Sequence, residues 1–163
     1  TYLPQESSIF KGLTVEANIF SALEQRKDLN HRDRQKELDT LLGDFGLDGL
    51  SKTLGIKLSG GERRRTEIAR SVASNPQFIL LDEPFAGIDP IAVSDLKDII
   101  HSLNKKGIGV LISDHNVRDT MKICKQVLIV NKGKIIANGD PSEIANDKLV
   151  KEVYLGQDFD TEL

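Results

Sequence analysis

The run Phe78-Ile79-Leu80-Leu81, closed at once by Asp82-Glu83-Pro84, constrains the fold of this chain more than any other segment. Consecutive apolar residues, ended by a proline that cannot join a ladder, predict a short strand buried on both faces. Two similar runs follow, Val110–Ile112 and Val127–Val130, and helical spacing separates the runs, clearest over Ile91–Leu103 and Asn116–Cys124. Strand and helix alternating over short links predict an α/β fold, a parallel sheet flanked by helices on both faces. In open sheets of this class ligands sit beyond the carboxyl ends of the strands, where Asp82 and Glu83 fall.

Upstream the character changes. From Thr14 to Phe45 the chain is poor in strand formers and rich in Glu, Gln, Lys, Asp and Leu, which predicts two or three helices joined by a polar link at Asp28–Arg32. The expected organisation is one domain over 1–163, with an all-helical subdomain across about 10–75 and an α/β core with C-terminal helices across 76–163. Lys132-Gly133-Lys134 predicts a hairpin turn with Ile135–Ala137 returning. Asp140-Pro141 then has the cap and first-turn residues of a helix.

Composition excludes more than it selects. At 163 residues, 39% hydrophobic and 29% charged, the chain can build one ordinary core, and its net charge of −3 gives no reason to expect nucleic acid as partner. The apolar runs are too short to cross a bilayer as helices, so membrane contact is expected only through partners. Cys124 is the only cysteine, so no disulfide forms within the chain.

The chemistry is concentrated at two places. Leu58-Ser59-Gly60-Gly61-Glu62 begins a helix expected over Gly60–Ser74, and Ser59 with Glu62 completes a capping box. Capping alone accounts for those two residues. Paired glycines, however, weaken a helix start by about 1 kcal/mol each unless the backbone must approach something closely. Arg63-Arg64-Arg65 also opposes the helix dipole, and an anion docked on the amides of Gly60 and Gly61 would offset both penalties. At the second place, Asp82 is suited to hold Mg²⁺ through water and Glu83 to reach an attacking water; an isolated Asp-Glu-Pro would be only a solvated turn. Asp89-Pro90 caps the next helix. His115 follows a strand end, and a lone histidine is more often structural than catalytic; His31 and His101 receive only that structural reading.

In this order, Leu58–Glu62 and Phe78–Pro84 resemble the signature motif and Walker B strand of ATP-binding-cassette ATPases. The resemblance implies an ABC-type P-loop NTPase with its helical subdomain inserted before the signature, ATP and Mg²⁺ as cofactors, and a second copy of the chain completing the site. It assigns Ser59, Gly60, Gly61 and Glu62 to the partner copy's triphosphate, Asp82 to the metal and Glu83 to catalysis. Phe85-Ala86-Gly87-Ile88-Asp89 matches the D-loop, placing Asp89 at the dimer interface, and His115 matches the switch histidine that contacts the γ-phosphate, with Asp114 where Thr or Ser is common. Gln5 matches the Q-loop glutamine, sensing Mg²⁺ and coupling it to two transmembrane subunits.

The pattern G-x-x-x-x-G-K-[ST] does not occur. Since the chain opens on Thr1 and Tyr2-Leu3-Pro4 reads as the tail of a strand, the expectation is the C-terminal portion of a larger domain, inactive alone.

Beyond the generic motifs, four passages resemble the subfamily that powers lipopolysaccharide export from the inner membrane: Tyr2–Phe10, Leu58–Arg65, Glu83–Pro90 and Ser113–Arg118. The tail Val153–Phe159 is similar as well. That likeness implies a homodimer on the cytoplasmic face, with Phe10, Lys11 and Leu13 coupling to the membrane subunits. Lys11 stands where arginine is familiar, and without the likeness Phe10 and Leu13 would read as core. The alternatives are a branched-chain amino acid importer's ATPase and a DNA-acting ATPase of the same family. Against the second, no sustained heptads precede Leu58.

Overall fold

In the computed structural model, which describes residues 1–156, every α-helix starts at a side chain that accepts a backbone N–H the helix itself cannot satisfy. Thr14 caps α1 (Val15–Leu23), Asn30 caps α2 (His31–Asp44), Ser59 caps α3 (Gly60–Ala73) and Asp89 caps α4 (Pro90–Lys105). Asn116, Asp140 and Asp147 do the same for α5 (Val117–Met121), α6 (Pro141–Asn146) and α7 (Lys148–Val150). The chain forms two units, Thr1–Asp114 and one beginning at His115.

In the first unit, strands β1 (Tyr2–Leu3), β2 (Phe78–Asp82) and β3 (Gly109–Ser113) run parallel in the order β1-β2-β3. Leu3, Leu81 and Ile112 form one register row; Tyr2, Leu80 and Leu111 form the next. Leu3, Ile79 and Leu81 are buried on the face that α3 and α4 cover, with Ile68, Ala69, Leu96 and Ile100. On the other side of the sheet, Phe78 is 66% exposed, Leu80 42% and Leu111 57%.

The helical part precedes the signature, as expected. Val15, Ile19 and Leu23 of α1 are fully buried, and α1 packs on both α2 and α3. Asn18 lies among them with no exposure. Its Oδ1 accepts the Phe10 N–H at 2.8 Å, and its Nδ2 donates to the carbonyls of Phe10 at 3.1 Å and Thr14 at 2.9 Å. One amide thereby pins the loop that carries Phe10, Lys11 and Leu13. Asn18→Ala strands these buried groups, and a loss of about 1–3 kcal/mol is expected in urea denaturation, with the Phe10–Leu13 loop cut first in limited proteolysis.

In the second unit, β4 (Val127–Asn131) pairs antiparallel with β5 (Lys134–Gly139). The hairpin forms as expected: Lys132 and Gly133 both have positive φ, 46° and 74°, as a two-residue turn between twisted strands requires. Among the described residues, Val127–Val130 thus pairs with its own return strand and not with the parallel sheet. Met121, Ile129, Ile144, Ala145 and Val150 form the core here. A single π turn, Lys151–Leu155, ends the described chain, and Gln157–Phe159 of the similar tail lie outside the described residues.

Candidate functional site

The carboxyl end of β2 is held by both neighbouring strands. Asp82 lies opposite Ser113 in the register, and its carboxylate accepts the Ser113 hydroxyl at 2.6 Å and the Tyr2 hydroxyl at 3.0 Å. These bonds, Ser113 first and Tyr2 second, hold the Asp82 carboxyl below its usual range, while the same contact pushes the Tyr2 phenol up. Asp82 is therefore an anion at neutral pH. Each bond uses one lone pair of one oxygen, which leaves acceptor capacity toward a hard cation.

Glu83 has φ +41°, in the left-handed region that side chains other than glycine rarely adopt. Two backbone bonds hold it there: its N–H donates to the Ser113 carbonyl at 2.8 Å and its own carbonyl accepts the Ala86 N–H at 3.2 Å. Strain of this kind gathers at functional sites. Gln5 Nε2 donates to Glu83 Oε2 at 2.7 Å, so two residues 78 positions apart, each singled out in the sequence, meet here. Gln5, Ser7, Gly60, Arg64, Glu67 and Glu83 line one open cleft. Sequence reasoning missed Ser113, whose hydroxyl supports one acid and whose carbonyl supports the other; its register opposite Asp82 was the only signal. It also missed Tyr2.

At the start of α3 the capping box is complete: Glu62 accepts both the Ser59 N–H and its hydroxyl at 2.8 Å, and the Glu62 N–H donates to Ser59 Oγ at 3.4 Å. The Ser59 amide, then its hydroxyl, hold the Glu62 carboxyl below its usual range. The two glycines have different surroundings. Gly61 is buried, and a Cβ there would lie 2.5 Å from Ala92 Cβ on α4, whereas a Cβ on exposed Gly60 would come no nearer than 3.4 Å, to the Gly87 carbonyl. Close approach of two helices thus explains Gly61. The structure gives Gly60 no such packing reason.

The arginines of the triplet find partners within the fold. Arg63 donates to the Leu58 carbonyl, Arg64 to the carbonyls of Pro4 and Asp82, and Arg65 pairs with Asp95 at 3.1 Å. Gly61→Ala is expected to destabilise by about 1–3 kcal/mol through overpacking, read as a shift in denaturation midpoint. Gly60→Ala instead gains up to about 1 kcal/mol of helix propensity.

Asp89 Oδ1 accepts the N–H groups of Ile91 at 3.1 Å and Ala92 at 3.0 Å, a cap in full use. Its preceding loop turns at Gly87, φ +67°. His115 is exposed at the start of the second unit, its carbonyl accepting the Val117 N–H at 3.0 Å. Phe10 and Leu13 are 52% and 40% exposed, so neither is core, and Lys11 is exposed beside them. The Arg70 guanidinium stacks 4.8 Å from the Phe10 ring centroid.

Comparison with known proteins places this geometry. The ABC transporter family model matches residues 1–86, and a model described as branched-chain amino acid ATP-binding cassette transporter matches residues 134–160. Over 97% of its length the chain is 56% identical to the lipopolysaccharide export system ATP-binding protein LptB of Haemophilus influenzae and 53% identical to that of Escherichia coli K12. It spans 66% of the length of each. Among solved structures, an ABC-transporter ATP-binding cassette in its ADP conformation matches with TM-score 0.79 and 25% identity, over 96% of this chain and 68% of that one. CbiO1 of Clostridium perfringens, part of the transporter complex cbiONQ, matches with TM-score 0.79 and 26% identity, over 96% and 62%. With the signature helix, the acid-ended strand and a glutamine bonded to its glutamate in one cleft, and a family model over more than half its residues, this chain belongs to the ABC transporter ATPase family.

Proposed function

We propose that the protein, at the length of its relatives, hydrolyses ATP as a dimer beneath two transmembrane subunits and so powers lipopolysaccharide export. The observation that carries the reading is a likeness of 53–56% identity to the export ATPases, running through the Gln5 segment, the signature and the acid-ended strand. The branched-chain amino acid model supports the rival importer over residues 134–160 only, a stretch that holds none of the candidate site residues. No helix among the described residues is long and apolar enough to cross a membrane, which fits a role that reaches the bilayer through other chains.

The residues fit magnesium. Asp82 is an ionised oxygen donor supported by two hydroxyls, and among the described residues no cluster of three or more acidic, histidine or cysteine ligands exists. Magnesium keeps much of its water and leans on phosphate oxygens, so a single carboxylate with Gln5 near is a suitable holder. Bound there, the ion would supply charge neutralisation at the phosphoryl oxygens.

Glu83 orients the attacking water and accepts its proton. Gln5 donates to this carboxylate and so fixes the group's direction. The exposed start of α3, with Ser59 and Gly60 and amides that lie ahead of any intrahelical acceptor, caps the γ-phosphate bound to the partner copy. Phe10, Lys11 and Leu13 face the membrane subunits. His115 contacts the γ-phosphate and Asp89 the partner's site, both on the resemblance.

The test is reconstitution of the full-length protein with its membrane subunits in vesicles loaded with lipopolysaccharide. ATP-dependent release of lipopolysaccharide supports the reading. Hydrolysis that responds to branched-chain amino acids and releases no lipopolysaccharide overturns it.

A further inference from the structure

Arg64 and Glu67 form an ion pair at 3.3 Å with side chains only 7% and 2% exposed, one turn apart on α3. Burying two charges returns little stability unless their remaining hydrogen-bonding capacity is met, and apolar residues would hold a helix in place as well. The polar groups this pair meets lie outside its helix. Arg64 Nη1 donates to the Pro4 carbonyl at 2.9 Å and Nη2 to the Asp82 carbonyl at 2.8 Å. Glu67 Oε1 accepts the Ser7 hydroxyl at 2.7 Å and the N–H groups of Ser8 at 2.8 Å and Ile9 at 3.2 Å.

The pair therefore grips the Gln5 segment on both sides, at Pro4 and at Ser7–Ile9, and leaves Gln5 projecting between. The same guanidinium holds the carbonyl of the Asp82–Glu83 peptide, immediately before the residue with φ +41°. One planar fork thus ties together the two segments whose side chains meet in the 2.7 Å Gln5–Glu83 bond. Lysine, with a single point of charge, cannot reproduce that fork.

We propose that Arg64 and Glu67 are positioning residues for hydrolysis: they set Gln5 against Glu83 and oblige both to follow any displacement of the first turns of α3. Neither touches substrate. The inference rests on the ATPase reading above. It adds a rigid path from the helix start that faces the partner copy to the acid that acts on the chain's own nucleotide. A ligand pressing on Ser59 and Gly60 moves Arg64 one turn further on, and with it the carbonyls of Pro4 and Asp82.

The experiment is a double-mutant cycle in the full-length protein, with Arg64→Lys and Glu67→Gln each made alone and on Gln5→Ala. Each single variant is expected to lower kcat by about 10- to 100-fold, the scale of a misplaced reacting group, with the KM for ATP within about twofold of wild type. On Gln5→Ala the further loss from Glu67→Gln is expected to shrink below about twofold, because the residue that Glu67 positions is gone, and the loss from Arg64→Lys is expected to fall to the part it exerts through the Asp82 carbonyl. A purely structural role predicts the opposite: full, multiplicative losses in the Gln5→Ala background, or a raised KM with kcat unchanged, and either result overturns the proposal. Should Arg64→Lys fail to fold, Glu67→Gln, which keeps an acceptor for Ser8 and Ile9, decides by the same criterion. Absence of ATP hydrolysis by the wild-type protein would strike the underlying reading instead, and is seen in the control before any variant is compared.

Discussion

Glu83→Gln, in the protein at the length of its relatives, is expected to bind ATP as wild type does and to release phosphate about 10²- to 10⁴-fold more slowly, the range general-base assistance supplies. The substitution keeps side-chain length and an oxygen for the Gln5 amide to donate to, and the backbone at φ +41° is no harder for Gln than for Glu. Only the ability to accept a proton is removed. Loss of the hydrolytic step should leave the nucleotide-bound dimer intact, so gel filtration with ATP should show a persistent dimer where wild type returns to monomer. Single-turnover phosphate release gives the rate directly, and a wild-type rate would remove Glu83 from the mechanism.

Ser59→Arg is expected to leave ATP binding unchanged and to abolish ATP-dependent dimerisation, with turnover falling about 10²- to 10³-fold, as when one donor to a developing charge is lost. Ser59 is exposed, so a long side chain fits the isolated fold and obstructs only what docks upon the start of α3. The substitution also deletes a helix cap, which by itself costs about 0.5–2 kcal/mol. Ser59→Ala separates the two effects, since it loses the cap but adds no bulk. If Ser59→Arg still dimerises with ATP, the start of α3 does not face the partner.

What was legible in the sequence was local. The caps at Ser59, Asp89 and Asp140 depend on residues two or three positions apart, and all are present as the spacing implied. The hairpin at Lys132-Gly133 likewise closes over two residues. The family motif order singled out both Gln5 and Glu83, but not the bond between them across 78 positions. What stayed hidden depends on register and on backbone angles. Tyr2 and Ser113 reach Asp82 from strands 80 and 31 positions away, and nothing in their own neighbourhoods marks them as its partners. The burial of Gly61 against Ala92 needs the angle at which two helices cross, so the glycine pair read as a single anion site when only one member lacks a packing role.

The left-handed backbone at position 83 has an evolutionary consequence. A Cβ in that conformation works against the fold by about 1–2 kcal/mol, a burden glycine escapes and asparagine reduces. Laboratory evolution for heat resistance alone, with no demand for turnover, should therefore drift away from glutamate there, and survivors carrying Glu83→Gly or Glu83→Asn should be sturdy and inert. Retention of the acid would then report selection on work done, not on endurance.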